Sequence, residues 1–357
     1  KASSPDEADF FGSGNYDSDY IGNGIALSGN TLVIGAIGDD SDSSWNDENN
    51  DANNVGAVYV FVRDNNDNWS QEAYLKANNR ESGDMFGSSV ALDGDTLVIG
   101  AVREASGFAG TPSNNSASKS GAVYVFTRDA GNWSQQAYLK ASNIDAYDEF
   151  GVSVAISGDT LAVGALEDSS ARGINGDQTN NSRSESGAVY VFTRDAGDWT
   201  QQAYIKASNA YIQDRFGISV SLDANTLAVG ANQHNGIGTS PGTAYIFTRS
   251  NVTWSQQAII TASNAEGGDE FGKSVSVYND TLVVGAPAED SASTSINAGT
   301  DDNTATSSGA AYVFTRSGSN WTQQAYLKAS NAEEIDIFGS SVSISANAIV
   351  VGAYNEG

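Results

Sequence analysis

Residues 121–143 read GAVYVFTRDAGNWSQQAYLKASN, and residues 187–209 read GAVYVFTRDAGDWTQQAYIKASN. Looser copies start at Gly56, Gly242 and Gly309. The first half of each copy is a run of β-branched and aromatic residues. A short Asp/Asn/Gly turn follows, then an alternating run that opens on Trp. Upstream of every copy stands a second phrase, D-x-F-G-x-S-V. Its Phe-Gly pairs are Phe86-Gly87, Phe150-Gly151, Phe216-Gly217, Phe271-Gly272 and Phe338-Gly339, with a degenerate copy at Ile21-Gly22. Their glycines lie 65, 64, 66, 55 and 67 residues apart. Self-similarity at such a period is the mark of a repeat architecture.

Each full unit holds four strand-like runs: SSVAL, which alternates; TLVIGA, apolar on both faces; GAVYVFTR; and WSQQAYLKA, which alternates again. DGD, SGD, DAGN and DNNDN supply the tight turns between runs one and two and between runs three and four. No stretch has helical periodicity. A four-stranded antiparallel meander repeated in this way is a propeller blade, and the expected fold is an all-β β-propeller. One sheet cannot bury both faces alone, so every blade needs the same apolar pattern. Five blades are complete, at about 13–79, 80–143, 144–209, 210–264 and 265–331 of a single domain, with a partial blade at about 332–357. Lys1-Ala2-Ser3 matches the tail of the repeated phrase, from which a longer parent chain and a ring of six or seven blades are expected. The in-phase Trp69, Trp133, Trp199, Trp254 and Trp321 read as packing residues, as do Tyr59, Tyr124, Tyr190, Tyr245 and Tyr312.

The phrase FGKSVSVYNDTLVVGAP, residues 271–287, resembles the FG-GAP repeat, the unit of the integrin α-chain propeller; the other copies keep FG and GA without the Pro. The resemblance spans essentially the whole chain and implies a propeller used outside the cell for adhesion or ligand binding. Integrin-type repeats often carry a D-x-D-x-D-G calcium loop between the first two strands. Here that turn is only LDGDT, ISGDT, LDANT or VYNDT, too short to give Ca²⁺ its six to eight oxygens. The chain is more similar to a short-loop bacterial variety.

With 17 basic and 44 acidic residues the net charge is -27, which repels phosphate backbones and excludes nucleic acid as a partner. There is no Cys, so thiol chemistry and disulfides are absent. No apolar run is long enough to insert in a membrane. With one His, Ser–His–Asp machinery and a zinc site are disfavoured. A pair of carboxylates would suffice for a glycosidase. TRDAGNW and TRDAGDW resemble the structural Asp box of sialidases, one residue short. The repeated Arg63, Arg128, Arg194, Arg249 and Arg316 sit at equivalent places in five blades and cannot converge on one substrate. A non-enzymatic module is therefore expected.

The meander puts the variable loops between strands two and three on one face, at residues 37–55, 102–120, 166–186, 232–241 and 287–308. Variable loops on a repeated scaffold are where a binding site can be built. Two sets of acids lie there. The Asp of D-x-F-G (Asp19, Asp84, Asp148, Asp214, Asp269, Asp336) reads as a turn cap. The second set follows GA by three residues: Asp39, Glu104, Asp168, Glu289 and Glu356, with His234 in blade four. These are expected to ring one mouth of the fold and hold a cation or a basic partner group. In the loop IGDDSDSSWNDENNDANN, Trp45 is the one Trp outside the repeat and reads as a glycan or peptide anchor. Asp39, Asp40, Asp42 and Asp47 could order around Ca²⁺, although no EF-hand spacing is present. The expected function is an extracellular or cell-surface adhesion module for a glycan or protein ligand. The alternative is a structural subunit whose propellers self-associate into a filament or layer.

Overall fold

The computed structural model describes residues 24–41, 53–108, 111–170, 172–233 and 240–356. Every regular element among them is a strand. Strands β1–β4 (Ile25–Ser28, Thr31–Ala36, Ala57–Arg63, Trp69–Leu75) form one four-stranded antiparallel sheet. The second holds β5–β8 (Phe86–Asp93, Thr96–Ala101, Ala122–Asp129, Asn132–Leu139), and the third β9–β12 (Phe150–Ser157, Thr160–Ala165, Ala188–Asp195, Asp198–Ile205). The fourth holds β13–β16 (Ser219–Asp223, Thr226–Ala231, Thr243–Ser250, Thr253–Ile260), and the fifth β17–β20 (Ser274–Tyr278, Thr281–Ala286, Ala310–Ser317, Asn320–Leu327). A two-stranded sheet, β21–β22 (Phe338–Ser345, Ala348–Ala353), follows. In each sheet neighbours in sequence are neighbours in space. The fold class is all-β, built from the meander blades of a β-propeller.

The chain divides into two compact units, Lys1–Ala165 with Phe192–Gln201, and Leu166–Val191 with Gln202–Gly357. Within the first, β5 packs on β1 and β2, and β9 on β5 and β6. Within the second, β17 packs on β13 and β14, and β21 on β17 and β18. The TLVIGA strands lie between two apolar layers, and β6, β10 and β14 are buried along their whole length. In the first unit Val33, Val58, Val60, Phe86, Val90, Leu97, Ile99 and Tyr124 make one core. Phe86 meets Tyr124 edge-on at 5.3 Å, and Phe271 repeats this against Tyr312 in the second unit.

The glycines of FG and GA answer to one steric demand. Gly87 has φ +96 and its carbonyl lies against Gly35; a Cβ on either would overlap the facing backbone. The Gly that opens GAVYVFTR pairs with the Phe of the next FG in an isolated parallel bridge, as in Gly56 with Phe86 and Gly242 with Phe271. Gly35, Gly56 and Gly87 thus stand where two successive blades approach backbone to backbone, and Gly230, Gly242 and Gly272 repeat this in the second unit.

A bulge in strands three and four carries a second contact. Pairing shifts between Val60 and Phe61, Val125 and Phe126, Ile246 and Phe247, and Val313 and Phe314. The residue skipped on strand four is Glu72, Gln136, Gln257 or Gln324, the second of the QE/QQ pair. The bulge re-aims that side chain toward the next blade. There it accepts an indole N–H: Trp133 to Glu72 (2.9 Å), Trp199 to Gln136 (3.0 Å) and Trp321 to Gln257 (3.0 Å). Each Trp ring also carries the repeated Arg of its own blade, with the Arg128, Arg194 and Arg316 guanidinium carbons 5.4, 5.1 and 5.2 Å from the ring centroid. Those arginines pair with turn residues Asp95, Asp159 and Asp280 at 2.7 Å. Arg128, Arg194 and Arg316 also donate to Thr31, Thr96 and Thr226 of the preceding blade at 3.1, 3.0 and 3.2 Å, so the Trp and Arg repeats are both blade-to-blade fasteners.

Candidate functional site

The long loops leave the sheets after GA, three residues before the second set of acids. In four blades the acid is buried against a lysine from the end of strand four. Lys76 lies 2.6 Å from Asp39, and Lys140, Lys206 and Lys328 lie 2.9 Å from Glu104, Asp168 and Glu289. Neither partner is more than 3% exposed in any of these pairs. Tyrosines surround the carboxylate. Asp168 accepts from Tyr190 at 2.7 Å and Tyr204 at 3.0 Å, Glu289 from Tyr326 at 2.7 Å, and Asp39 from Tyr74 at 3.1 Å. A Ser two residues on donates its backbone N–H back to the acid, at Ser41, Ser106, Ser170 and Ser291.

The acid's own carbonyl accepts from the Gly that ends the loop: Gly56 to Asp39, Gly121 to Glu104, Gly187 to Asp168 and Gly309 to Glu289, at 3.0, 2.9, 2.9 and 2.8 Å. One residue therefore fastens both ends of a loop of some twenty residues. Its side chain holds the start and its main chain the finish. The lysine reaches the loop end too, with Lys328 2.6 Å from the Gly309 carbonyl and 2.7 Å from the Ser308 hydroxyl.

The ring of acids open to a ligand that the sequence suggests is not what Asp39, Glu104, Asp168 and Glu289 form. Each is turned into its own blade, because a lysine with almost no solvent access needs an anion beside it. Glu356 is exposed and hydrogen-bonded by the Asn331 amide. Among the calcium candidates, Asp39 is taken by Lys76 and Asp40 accepts the Asn54 N–H at 2.6 Å. A cation at Asp39 would have to displace another cation. No group of three His, Cys, Asp or Glu among the described residues could hold a metal ion. These two residues do not fit Ca²⁺. Trp45, Asp42, Asp47, His234 and Asp19 lie outside the described residues.

The D-x-F-G aspartates cap turns. Their Oδ2 atoms accept the N–H three residues back, at Glu81, Asp145, Tyr211, Glu266 and Glu333, over 2.6–3.1 Å. Burial, together with the nearby Glu104 and Glu81 charges, pushes Asp84 up to about 7. Burial and the Glu289 charge push Asp269 up to about 6. Asp168 goes the other way. Burial alone would raise it, but Lys206, Tyr190 and the Ser170 N–H outweigh burial and hold it at about 2. Burial lowers Lys140 and Lys328 despite their carboxylate partners.

Reading the sequence one strand at a time passes over the lysines. The signal is in the exception: blade four has His234 for the acid, Gly236 for the Ser, Ile259 for the strand-four Tyr and Thr261 for the Lys. All four partners change together, and that loop is the shortest. The Asn that closes this stretch belongs to the network of the following blade: Asn79 of KANN reaches Glu104, and Asn264 of TASN, at the end of blade four, reaches Glu289, at 3.5 and 3.3 Å.

No curated protein matched the chain. The FG-GAP repeat matches six times, over residues 5–61, 69–126, 133–192, 199–247, 254–314 and 321–357. Those matches take in the FG and GA glycines at the blade contacts and most of the sequence, and the chain belongs to the FG-GAP repeat family.

Proposed function

We propose that this chain is a non-catalytic binding module that works outside the cell or on its surface and holds a glycan or protein ligand with its loops between strands two and three. The observation that supports this is the fastening of those loops. In four blades the same acid, lysine and glycine pin both ends, while the stretch between varies in length and sequence. A conformationally defined scaffold under variable loops is how a recognition surface is built without disturbing a core. The buried acids anchor the loops, and ligand contacts fall to residues further along them, Trp45 being the proposed aromatic anchor. In this reading Asp39, Glu104, Asp168 and Glu289, each held by a lysine, anchor loops and do not act as acid or base.

The test is a loop exchange. The exchange spares the fastening: residues 107–116 are replaced by a shorter Gly/Ser linker, which leaves Glu104, Ser106 and Ser120 in place, and binding is read on glycan and protein arrays beside wild type and Trp45→Ala. Array ligands lost in these variants, with the melting temperature kept, support the reading. Ligands bound equally by all three proteins, or no ligand at all with concentration-dependent polymers in solution, would replace it with the self-associating structural subunit.

A further inference from the structure

The chain carries 44 acids against 17 bases, yet two arginines stand together without a carboxylate within ion-pair distance among the described residues. Arg172 and Arg183 belong to the loop after β10. Both donate to one backbone oxygen, that of Ala210, from Arg172 Nε at 2.7 Å and Arg183 Nη1 at 3.2 Å. Ala210 is buried in the connector between β12 and β13. The next two residues, Tyr211 and Ile212, are 51% and 54% exposed. The Arg172 guanidinium carbon lies 5.1 Å from the Tyr211 ring centroid. The backbone beneath is held, with Tyr211 N–H on Asp214 at 2.6 Å and Gln213 N–H on the Ser184 carbonyl at 2.9 Å.

Each guanidinium has five N–H donors in a planar fork. With Nε of Arg172 spent on Ala210, the outer edge formed by its two Nη atoms is left for a bidentate acceptor, and Arg183 brings a second fork to the same carbonyl. Holding two like charges on one oxygen costs Coulomb energy that an anion between them would recover. Elsewhere in this chain the repeated arginines take an Asp or Asn from the β1–β2-type turn of their own blade. Here that partner is missing from the described residues, and a half-exposed aromatic ring stands beside the pair instead.

We propose that Arg172, Arg183 and Tyr211 form a subsite for an acidic sugar, with the sugar carboxylate on the guanidinium forks and a C–H face of its ring on Tyr211. The inference rests on the reading of this face as a binding surface and names the ligand class there. A hexuronate offers a carboxylate at one edge and an apolar face about one ring away, which is the layout of this patch. An acidic peptide can also meet an arginine cluster, but its carboxylate side chain carries no apolar ring face to lie on Tyr211, and the other peptide modes need a strand edge. Tyr211 and Ile212 lie on a connector outside any strand, so the patch has no edge on which to pair a peptide. The net charge of -27 does not forbid a short uronate, because at 0.15 M salt the Debye length is about 8 Å and only local charges are felt strongly.

The experiment is calorimetry of the whole chain at 0.15 M salt with tri-galacturonate, galactotriose and tri-glutamate as probes. Expected is binding of tri-galacturonate, with galactotriose and tri-glutamate each about tenfold weaker or more. Arg172→Gln, Arg183→Gln and Tyr211→Ala should each weaken tri-galacturonate by about tenfold, with unchanged thermal melts, and Tyr211→Phe should retain it. Absence of heat with tri-galacturonate, indifference to the three substitutions, or equal affinity for tri-glutamate would each overturn the assignment, the last in favour of an acidic-peptide site. If loop exchange abolishes array binding while these substitutions leave it intact, this subsite fails and the broader reading stands.

Discussion

Lys140 is an ammonium with almost no exposure, and Glu104 is the charge that makes it tolerable there. A buried pair of this kind adds little net stability over an apolar pair, but removing one member leaves an uncompensated charge. Lys140→Met should therefore cost about 3–5 kcal/mol in urea unfolding, and adding Glu104→Gln should restore more than half of it. Additive costs in that double-mutant cycle would show that the pair is not coupled. The acids also set a pH dependence. Asp84 and Asp269 are raised to about 7 and about 6, so the folded state binds protons that the unfolded state has released, and stability falls as pH rises from about 4 to 7. Asp168, held at about 2, acts oppositely: its contribution is present above pH 4 and is lost as pH falls toward 2. The melting temperature should peak at about pH 4, helped by the smaller self-repulsion of a less anionic chain. Asp84→Asn, which keeps an oxygen for the Glu81 N–H, should flatten the fall between about pH 4 and 7; an unchanged slope would remove Asp84 as its source.

The element that joins blades is the bulged fourth strand. Without the bulge the second residue of QQ would alternate back toward its own sheet and could not meet the next Trp. Trp199→Phe keeps the ring under Arg194 and loses only the N–H to Gln136, for an expected loss of about 1 kcal/mol. Gln136→Ala should cost a similar amount, and the double variant no more than the larger single one, measured by chemical denaturation. Gly87 is less forgiving: with φ +96 and Gly35 against its carbonyl, Gly87→Ala strains the backbone and forces two blades apart. A melt within a degree or two of wild type would contradict the close approach.

At the scale of the whole molecule, a repeat protein gains stability from each unit and from each contact between neighbours. Loop length should therefore matter little to the fold, and the loop-exchanged protein should melt within a few degrees of wild type. Chelator should leave the melting temperature unchanged, since Asp39 already holds an ammonium and a metal that binds only the folded state would have to raise it. A calcium-dependent rise would place the ion instead among the acids of the 42–52 stretch, Asp42 and Asp47 foremost.

Period, strand count and strand boundaries within a blade could be read directly, because a two-residue alternation and Asp/Gly turns are local properties and the repeat states them five times. The identity of TLVIGA as a strand buried on both faces, and of the D-x-F-G aspartates as turn caps, follows from the same short-range rules. What the acids after GA do could not be read this way. Asp39 and Lys76 are 37 residues apart, and Glu289 and Lys328 are 39. Only folding of the meander brings the start of one loop beside the end of strand four. The bulge that turns Gln136 toward Trp199 likewise depends on hydrogen-bond register, which alternation alone does not specify. Composition and repeats thus determined the architecture, whereas tertiary packing decided which charges face solvent and which are sealed against a lysine, since burial belongs to the assembled sheets and to no single segment.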